Sequence, residues 1–256
     1  MIRRIKFLGY DFIAEKNIKI VAAKIIDELD FKDAGKLPII FTPNVDYLVK
    51  LDRSNNAIIR EKLKNSLYIL PDGQPIVWAA KFLGIDIRYR LTGSDLFLKL
   101  FDLANAKGIR SLYITPNEKV SQYFEKVDAV SKCYTLPIFQ ISDQEAIQNI
   151  VNRCVELIVN NNIRIVYIGV SFPKQDILSF LILDTLKEMK FNTLPLIGLL
   201  GASLEFKSGY KKRAPILYQK LGLEWGYRFI NEPNRLFKRY FIDSFAFIKI
   251  LKKYRK

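Results

Sequence analysis

The sequence predicts an α/β fold: a Rossmann-like, largely parallel sheet with flanking helices, plus a basic, mostly helical C-terminal appendage that docks to a membrane. Three observations carry the prediction. Short apolar runs alternate with amphipathic stretches over residues 1–206, polar residues cluster where those runs end, and the charge is concentrated in residues 207–256. A chain of 256 residues, 50% apolar and 13% aromatic, suffices for one large domain with an addition.

Residues 5–7, 37–41, 67–70, 88–91, 111–114, 163–169 and 194–199 read as strands, since each is a short apolar or alternating run bounded by turn residues. Helices lie between them. In 17–29, Ile18, Val21, Ala22, Ile25, Ile26 and Leu29 recur at steps of three and four and form one apolar face. The same period marks 45–51, 56–64, 74–83, 94–106, 117–130, 143–159 and 174–190. No internal repeat is evident, and the boundary falls near residue 207, where the basic bias begins. The expected units are therefore an α/β catalytic body, 1–206, and an appendage, 207–256.

Several chemistries are excluded by composition. With no histidine, the chain has no Ser-His-Asp or Cys-His site and no imidazole zinc site. Its two cysteines, Cys133 and Cys154, form no C-x-x-C, so neither a disulfide framework nor a cysteine metal site is expected and a reducing cytoplasm is the natural compartment. No two glycines are separated by one residue, which removes the G-x-G-x-x-G fingerprint, and no P-loop motif occurs. The chain also lacks the D-x-D pair with which many nucleotide-sugar enzymes hold a divalent metal. Phosphate chemistry here must rest on Arg, Lys, backbone N–H groups and helix N-termini. No cofactor and no metal are expected.

The net charge of +15 is uneven: residues 206–256 hold 14 Lys and Arg against three acids, with 12 of the 33 aromatic residues. Leu236, Phe237, Tyr240, Phe241, Ser244, Phe245, Ile248 and Leu251 recur at helical steps, flanked by lysines and arginines. Such a helix suits the interface of an anionic membrane, where each basic residue contributes on the order of 1 kcal/mol. The alternative is a stripe packed on the body with its lysines in water. The longest uncharged stretch, 191–204, is 14 residues and too short to span a bilayer, and the basic N-terminus lacks the apolar core of a signal peptide. The expected location is cytoplasmic, peripheral on the inner face of the cell membrane.

In folds of this class ligands bind beyond the carboxyl ends of the strands. Four polar loops follow predicted strands there: Thr42-Pro43-Asn44, Pro71-Asp72-Gly73-Gln74, Arg90 with Thr92-Gly93-Ser94-Asp95, and Ser171-Phe172-Pro173-Lys174-Gln175. Singly, Asn44, Ser94 and Asp95 are good helix caps and Asp-Gly is a common turn. Jointly they make the best candidate site in the sequence.

At these loops the chain resembles the WecG/TagA/CpsF glycosyltransferases (glycosyltransferase family 26). FTPNVDYLVK, ILPDGQPIVWAAKFLG, RYRLTGSDLF, IGVSFPKQD, GASLEFKSGYKKRAP and LGLEWGYRFINEPNRLFKRY occur in that family's order and spacing, from about Ile39 to Tyr240. The resemblance implies an inverting, metal-independent transfer of a sugar, N-acetylmannosamine in the first instance, from a UDP-sugar donor to a polyprenyl-diphosphate-linked N-acetylglucosamine acceptor. The setting it implies is wall teichoic acid, capsule or exopolysaccharide synthesis, and another UDP-hexose donor is the alternative. It also implies a homo-oligomer that dissociates at the membrane.

Carried over by motif, Asp72 matches the family's proposed general base, and Thr42 and Asn44 match residues lining the pocket. Arg90 and Gln175 match further substrate-binding residues. Arg228, Arg235 and Lys238 fall where the family places arginines over the donor diphosphate; Lys238 departs from arginine, with Arg239 beside it. Thr115-Pro116-Asn117, where relatives have a glycine-rich turn, and Glu205, where Asp is common, are further departures. The chemistry suits these residues. An attacking hydroxyl needs a base, worth roughly 10²–10⁴-fold, and without histidine a carboxylate must serve. Asp72 has a structural alternative, as a cap on the helix that begins at Gln74. The alternative from another class is a basic nucleic-acid-binding protein, which accounts for the tail but not for the loops, so no nucleic-acid partner is expected.

Overall fold

In the computed structural model, which describes residues 2–30, 35–215, 218, 227 and 243–254, the apolar runs assemble into an eight-stranded sheet. The strands are β1 (Arg4–Phe7), β2 (Tyr10–Ile13), β3 (Leu37–Phe41), β4 (Ser66–Ile69), β5 (Ser111–Thr115), β6 (Lys132–Thr135), β7 (Ile165–Ile168) and β8 (Leu196–Leu199), in the order β1-β2-β4-β3-β8-β7-β5-β6. β1 and β2 pair antiparallel through a turn at Leu8 and Gly9; the remaining ladders are parallel.

The helices among the described residues are α1 (Ile18–Asp27), α2 (Val45–Asp52), α3 (Ala57–Lys64), α4 (Gln74–Phe82), α5 (Gly93–Ala106), α6 (Glu118–Val127), α7 (Gln144–Asn160), α8 (Lys174–Glu188), α9 (Ser203–Lys207) and α10 (Asp243–Lys253). Because strand side chains alternate, Ile39 and Phe41 enter one core while Ile40 enters the other. The first core holds the apolar faces of α2, α4, α7 and α8, with Phe247 and Ile250 of α10. The second holds α1, α5 and α6, where Phe97 meets Tyr167 at 5.0 Å and Phe124 at 5.9 Å. Each such side chain withdrawn from water contributes about 1.5–3 kcal/mol, which is what fixes the helices on the sheet.

The structure departs from the predicted elements in instructive places. Residues 88–91 form no strand: Leu91 donates its N–H to Pro71 O at 3.1 Å and is buried, while Arg88 is exposed and pairs with Asp86. With one buried position at each end and charge between, the segment is a strap across the β4 loop. β2 and the edge strand β6 are additional, each four residues long; β6 lacks the apolar content of a central strand, whereas β2 buries Tyr10, Phe12 and Ile13 around the polar Asp11. In the C-terminal segment α10 buries Phe247 and Ile250 against α2 and exposes Phe245 and Ile248, so the inward face is offset from the predicted stripe. The part of that stripe at 236–241 lies outside the described residues.

Register brings the site together. Phe41 stands opposite Ile69 and Leu199, and Leu199 opposite Ile168, so the carboxyl ends of β4, β3, β8 and β7, the four central strands, are level.

Candidate active site

The loops after β3 and β4 are stitched to each other and to α5. Thr42, 8% exposed, donates its hydroxyl to Leu199 O at 3.4 Å. Asn44 caps α2, its Oδ1 accepting from Tyr47 N at 3.0 Å. Asp72 N donates to Pro43 O at 3.1 Å, and Asp72 Oδ2 accepts from Gly93 N, the first residue of α5, at 3.1 Å. Two glycines make this packing feasible. Gly73 has φ +133°, a conformation other residues rarely adopt, and lies against Asn44. A Cβ on Gly93 would stand 2.7 Å from Thr42 Oγ1.

Asp72 is half-buried at the rim of the sheet. Its carboxylate binds α5 rather than α4, whose N-cap is Gly73 and which has no side-chain cap. The described bond of the Asp72 carboxylate is thus to the first residue of α5, where the sequence alone suggests a cap on α4. An amide donor on one oxygen fixes the carboxylate's direction.

Positive charge adjoins it. Arg213 donates to Asp95 at 2.7 Å, Thr92 Oγ1 donates to the other Asp95 oxygen at 2.7 Å, and Lys211 pairs with Glu205 at 2.8 Å. Burial alone would raise the Asp95 carboxyl, but the bonds from Arg213 and Thr92 with the charges of Arg213 and Arg90 outweigh it, and Asp95 is held below the usual range. Arg90 thus adds its charge to the field at the carboxylate that Arg213 binds. Ser94 Oγ and Ser203 Oγ, 3.1 Å apart, join α5 to α9.

Gln175, at the start of α8, is 3% exposed and its Nε2 donates to the Tyr47 hydroxyl at 2.9 Å. That hydroxyl in turn donates to Asp176 Oδ1. Burial, only partly offset by the Tyr47 bond, pushes the Asp176 carboxyl up to about 7, and burial with the neighbouring Asp176 charge raises Tyr47 as well.

Thr42, Asn44, Asp72 and Arg90 therefore meet at one edge, and Gln175 lies in the layer beneath it. Arg228, Arg235 and Lys238 lie outside the described residues. Sequence reasoning passed over Tyr47 and Asp176, took Asp95 for a cap, and gave Arg213 no partner. An acid in a helix's first turn ordinarily reads as a complement to the helix dipole, so neither Asp95 nor Asp176 gave a distinct signal. Among the described residues, no group of three or more His, Cys, Asp or Glu is placed to hold a metal ion, and no helix is long and apolar enough to cross a membrane.

Comparison with known proteins bears on this edge. The family model described as "Glycosyl transferase WecG/TagA/CpsF family" matches residues 5–256. A Bacillus spizizenii protein named N-acetylglucosaminyldiphosphoundecaprenol N-acetyl-beta-D-mannosaminyltransferase is 26% identical over 81% of this chain and 77% of its own length. A Staphylococcus aureus protein of the same name is 26% identical over 77% of this chain and 73% of its own.

Proposed function

The chain belongs to the WecG/TagA/CpsF family of glycosyltransferases, and from that premise we propose that it moves N-acetylmannosamine from a UDP-sugar to a polyprenyl-diphosphate-linked N-acetylglucosamine in surface-glycan assembly, with inversion and without a metal. The observation that carries the reading is Asp72: a half-buried carboxylate at the rim of the central strands, aimed by the Gly93 amide and walled by Thr42 and Asn44. It takes the proton of the acceptor hydroxyl as that oxygen attacks the anomeric carbon, while UDP departs from the opposite face. Arg90 and Arg213 supply fixed positive charge where the departing diphosphate gathers its own, the role a cation plays in other transferases.

We further propose that residues 207–256 act as an appendage that completes this site. The described body reaches Pro215 just after Arg213 binds Asp95, on the α5 side of the sheet. Further on, α10 lies against α2 on the other side, where Lys253 pairs with Asp52 at 2.8 Å and Tyr254 lies against the β1–β2 turn. Both contacts are at the amino edge, and the helix extends about 15 Å from them to its start. Residues 216–242, which contain Arg228, Arg235 and Lys238, join anchors on opposite faces of the sheet. Phe245 and Ile248, 70% and 49% exposed beside the exposed Lys249 and Lys252, support docking of α10 on an anionic membrane surface.

One assay tests the reading: UDP release from a panel of UDP-sugars with a polyprenyl-diphosphate-N-acetylglucosamine analogue, with and without EDTA. Turnover should be greatest with UDP-N-acetylmannosamine, indifferent to EDTA, and at least tenfold lower when Arg228, Arg235 and Lys238 are together replaced by Ala. Release that requires a divalent cation, or that survives the triple replacement, would overturn the corresponding part.

A further inference from the structure

The cluster of Tyr47, Gln175 and Asp176 is costly for the fold. Asp176 is 0% exposed, Gln175 3% and Tyr47 8%. The network is also incomplete: Gln175 Oε1 and Asp176 Oδ2 are buried with no hydrogen-bond partner among the described residues. Each orphaned acceptor costs about 1–3 kcal/mol, and an apolar trio of the same shape would leave the core more stable. A polar cluster kept at such a cost, one layer beneath a candidate active site, calls for a reason other than stability.

Its geometry supplies one. Tyr47 is where the two loops meet. Its N–H is held by Asn44 of the β3 loop, and its ring stands edge-on to Phe41 of β3 and to Phe172 of the β7 loop, each at 5.1 Å. Its hydroxyl is held by Gln175 and Asp176 of α8. β8 lies between the two strands concerned, so no ladder joins β3 to β7 directly. The side chains of Tyr47 and its partners make that connection above the sheet.

We propose that Tyr47 and Asp176 are positioning residues for the transfer: the Asp176 carboxyl holds the Tyr47 hydroxyl, which holds the Gln175 amide and ties the β3 loop, with Thr42 and Asn44, to the β7 loop, so that the donor meets a pocket wall of one shape. The inference rests on the proposed glycosyl transfer and adds to it two residues that need not touch the substrate. Misplacement of a wall by about 1 Å can cost up to roughly 10²-fold in rate, which is the scale of effect expected.

The test separates positioning from structure. In the full chain, the double variant Tyr47→Phe/Asp176→Leu removes the buried carboxyl and hydroxyl together and should unfold at a urea concentration at least as high as the unmodified protein. Its KM for the UDP-sugar donor should nonetheless rise about tenfold, with a smaller change in kcat. Asp176→Asn, which keeps an oxygen to accept from Tyr47, should restore most of the kcat/KM lost in Asp176→Leu. A stable double variant with unchanged KM, or Asn no better than Leu at 176, would overturn the positioning role while leaving the transferase reading intact. No UDP release by the unmodified chain would overturn both.

Discussion

The two edges of the sheet are built on different terms. At the amino edge a cavity of about 290 Å³ opens between Lys36, Lys62, Asn65, Phe180 and Asp184. Its charges are solvated: Lys62 and Asp184 pair at 3.0 Å with side chains 41% and 45% exposed, and Lys36 reaches out to Asp11. At the carboxyl edge the polar groups are drawn inward instead. Asp72, Thr42, Gln175 and Asp176 are half-buried or buried and bonded to loops or strands other than their own. A solvated ion pair contributes about 0–1 kcal/mol and holds little in place, whereas a desolvated and cross-linked polar group has a fixed direction. The cross-linked polar groups therefore single out the carboxyl edge as the candidate site, while this cavity opens at the other.

The contrast is tested most severely at Asp72. Asp72→Asn keeps an oxygen to accept from Gly93 N but cannot take a proton, so turnover should fall by roughly 10²–10⁴-fold while affinity for the UDP-sugar changes little. Steady-state kinetics beside calorimetric donor binding would read both. Turnover within threefold of the unmodified enzyme would remove Asp72 from the chemistry and with it the distinction between the edges.

A second prediction concerns stability at the same edge. Asp176 is held at about 7 where an exposed aspartate titrates near 3.8, and its first neighbours, Tyr47 and Gln175, bring no positive charge. Between roughly pH 4 and 7 the unfolded chain has released this proton and the folded one retains it. Stability therefore falls as pH rises through that window and levels off above it. In Asp176→Asn that component is absent. The difference in unfolding free energy between the two proteins should change by a few kcal/mol across the window and be constant above pH 8. A flat difference from pH 4 to 8 would mean that Asp176 is ionised in the fold.

These two carboxylates also show how far the sequence could be read. Asp72 was legible because Pro71-Asp72-Gly73 follows an apolar run and precedes a helical period, a local pattern that places it on a strand-end loop. Thr42, Asn44 and the loop at Gly93 were legible for the same reason, and so were the seven helices from 17–29 to 143–159 and the eighth at 174–190. Asp176 was not, because its environment is made by Tyr47, 129 positions away. Nor were the Arg213–Asp95 bond, which spans 118 positions, or the fit of Gly93 over Thr42. β6 escaped because four residues at the edge of a sheet need little apolar content, and β2, although Tyr10, Phe12 and Ile13 are buried, because it is only four residues long and broken by Asp11. Residues 88–91 misled in the opposite direction: alternation alone cannot distinguish a strand from a strap that buries Ile87 and Leu91. Periodicity reports which face is buried, while the partner of a polar group depends on chain topology.

The smallest expected effect belongs to the amino edge and completes the comparison. Lys62 pairs with Asp184 and its ammonium lies 4.9 Å from the Phe180 ring, so Lys62→Met exchanges a solvated ion pair and a cation–π contact for apolar contact with the same ring. The two losses are each worth about 0.5–1 kcal/mol and the added apolar contact offsets part of them, so the net change should stay under about 1 kcal/mol in either direction. Turnover should be unchanged, because this cavity lies at the opposite end of the strands from the loops that hold Asp72. Urea unfolding and UDP release measured on the same preparation would check both. A tenfold loss of turnover at undiminished stability would show that the amino-edge cavity takes part in the reaction, and that solvated lysines around an open volume can matter as much as buried carboxylates at the opposite rim.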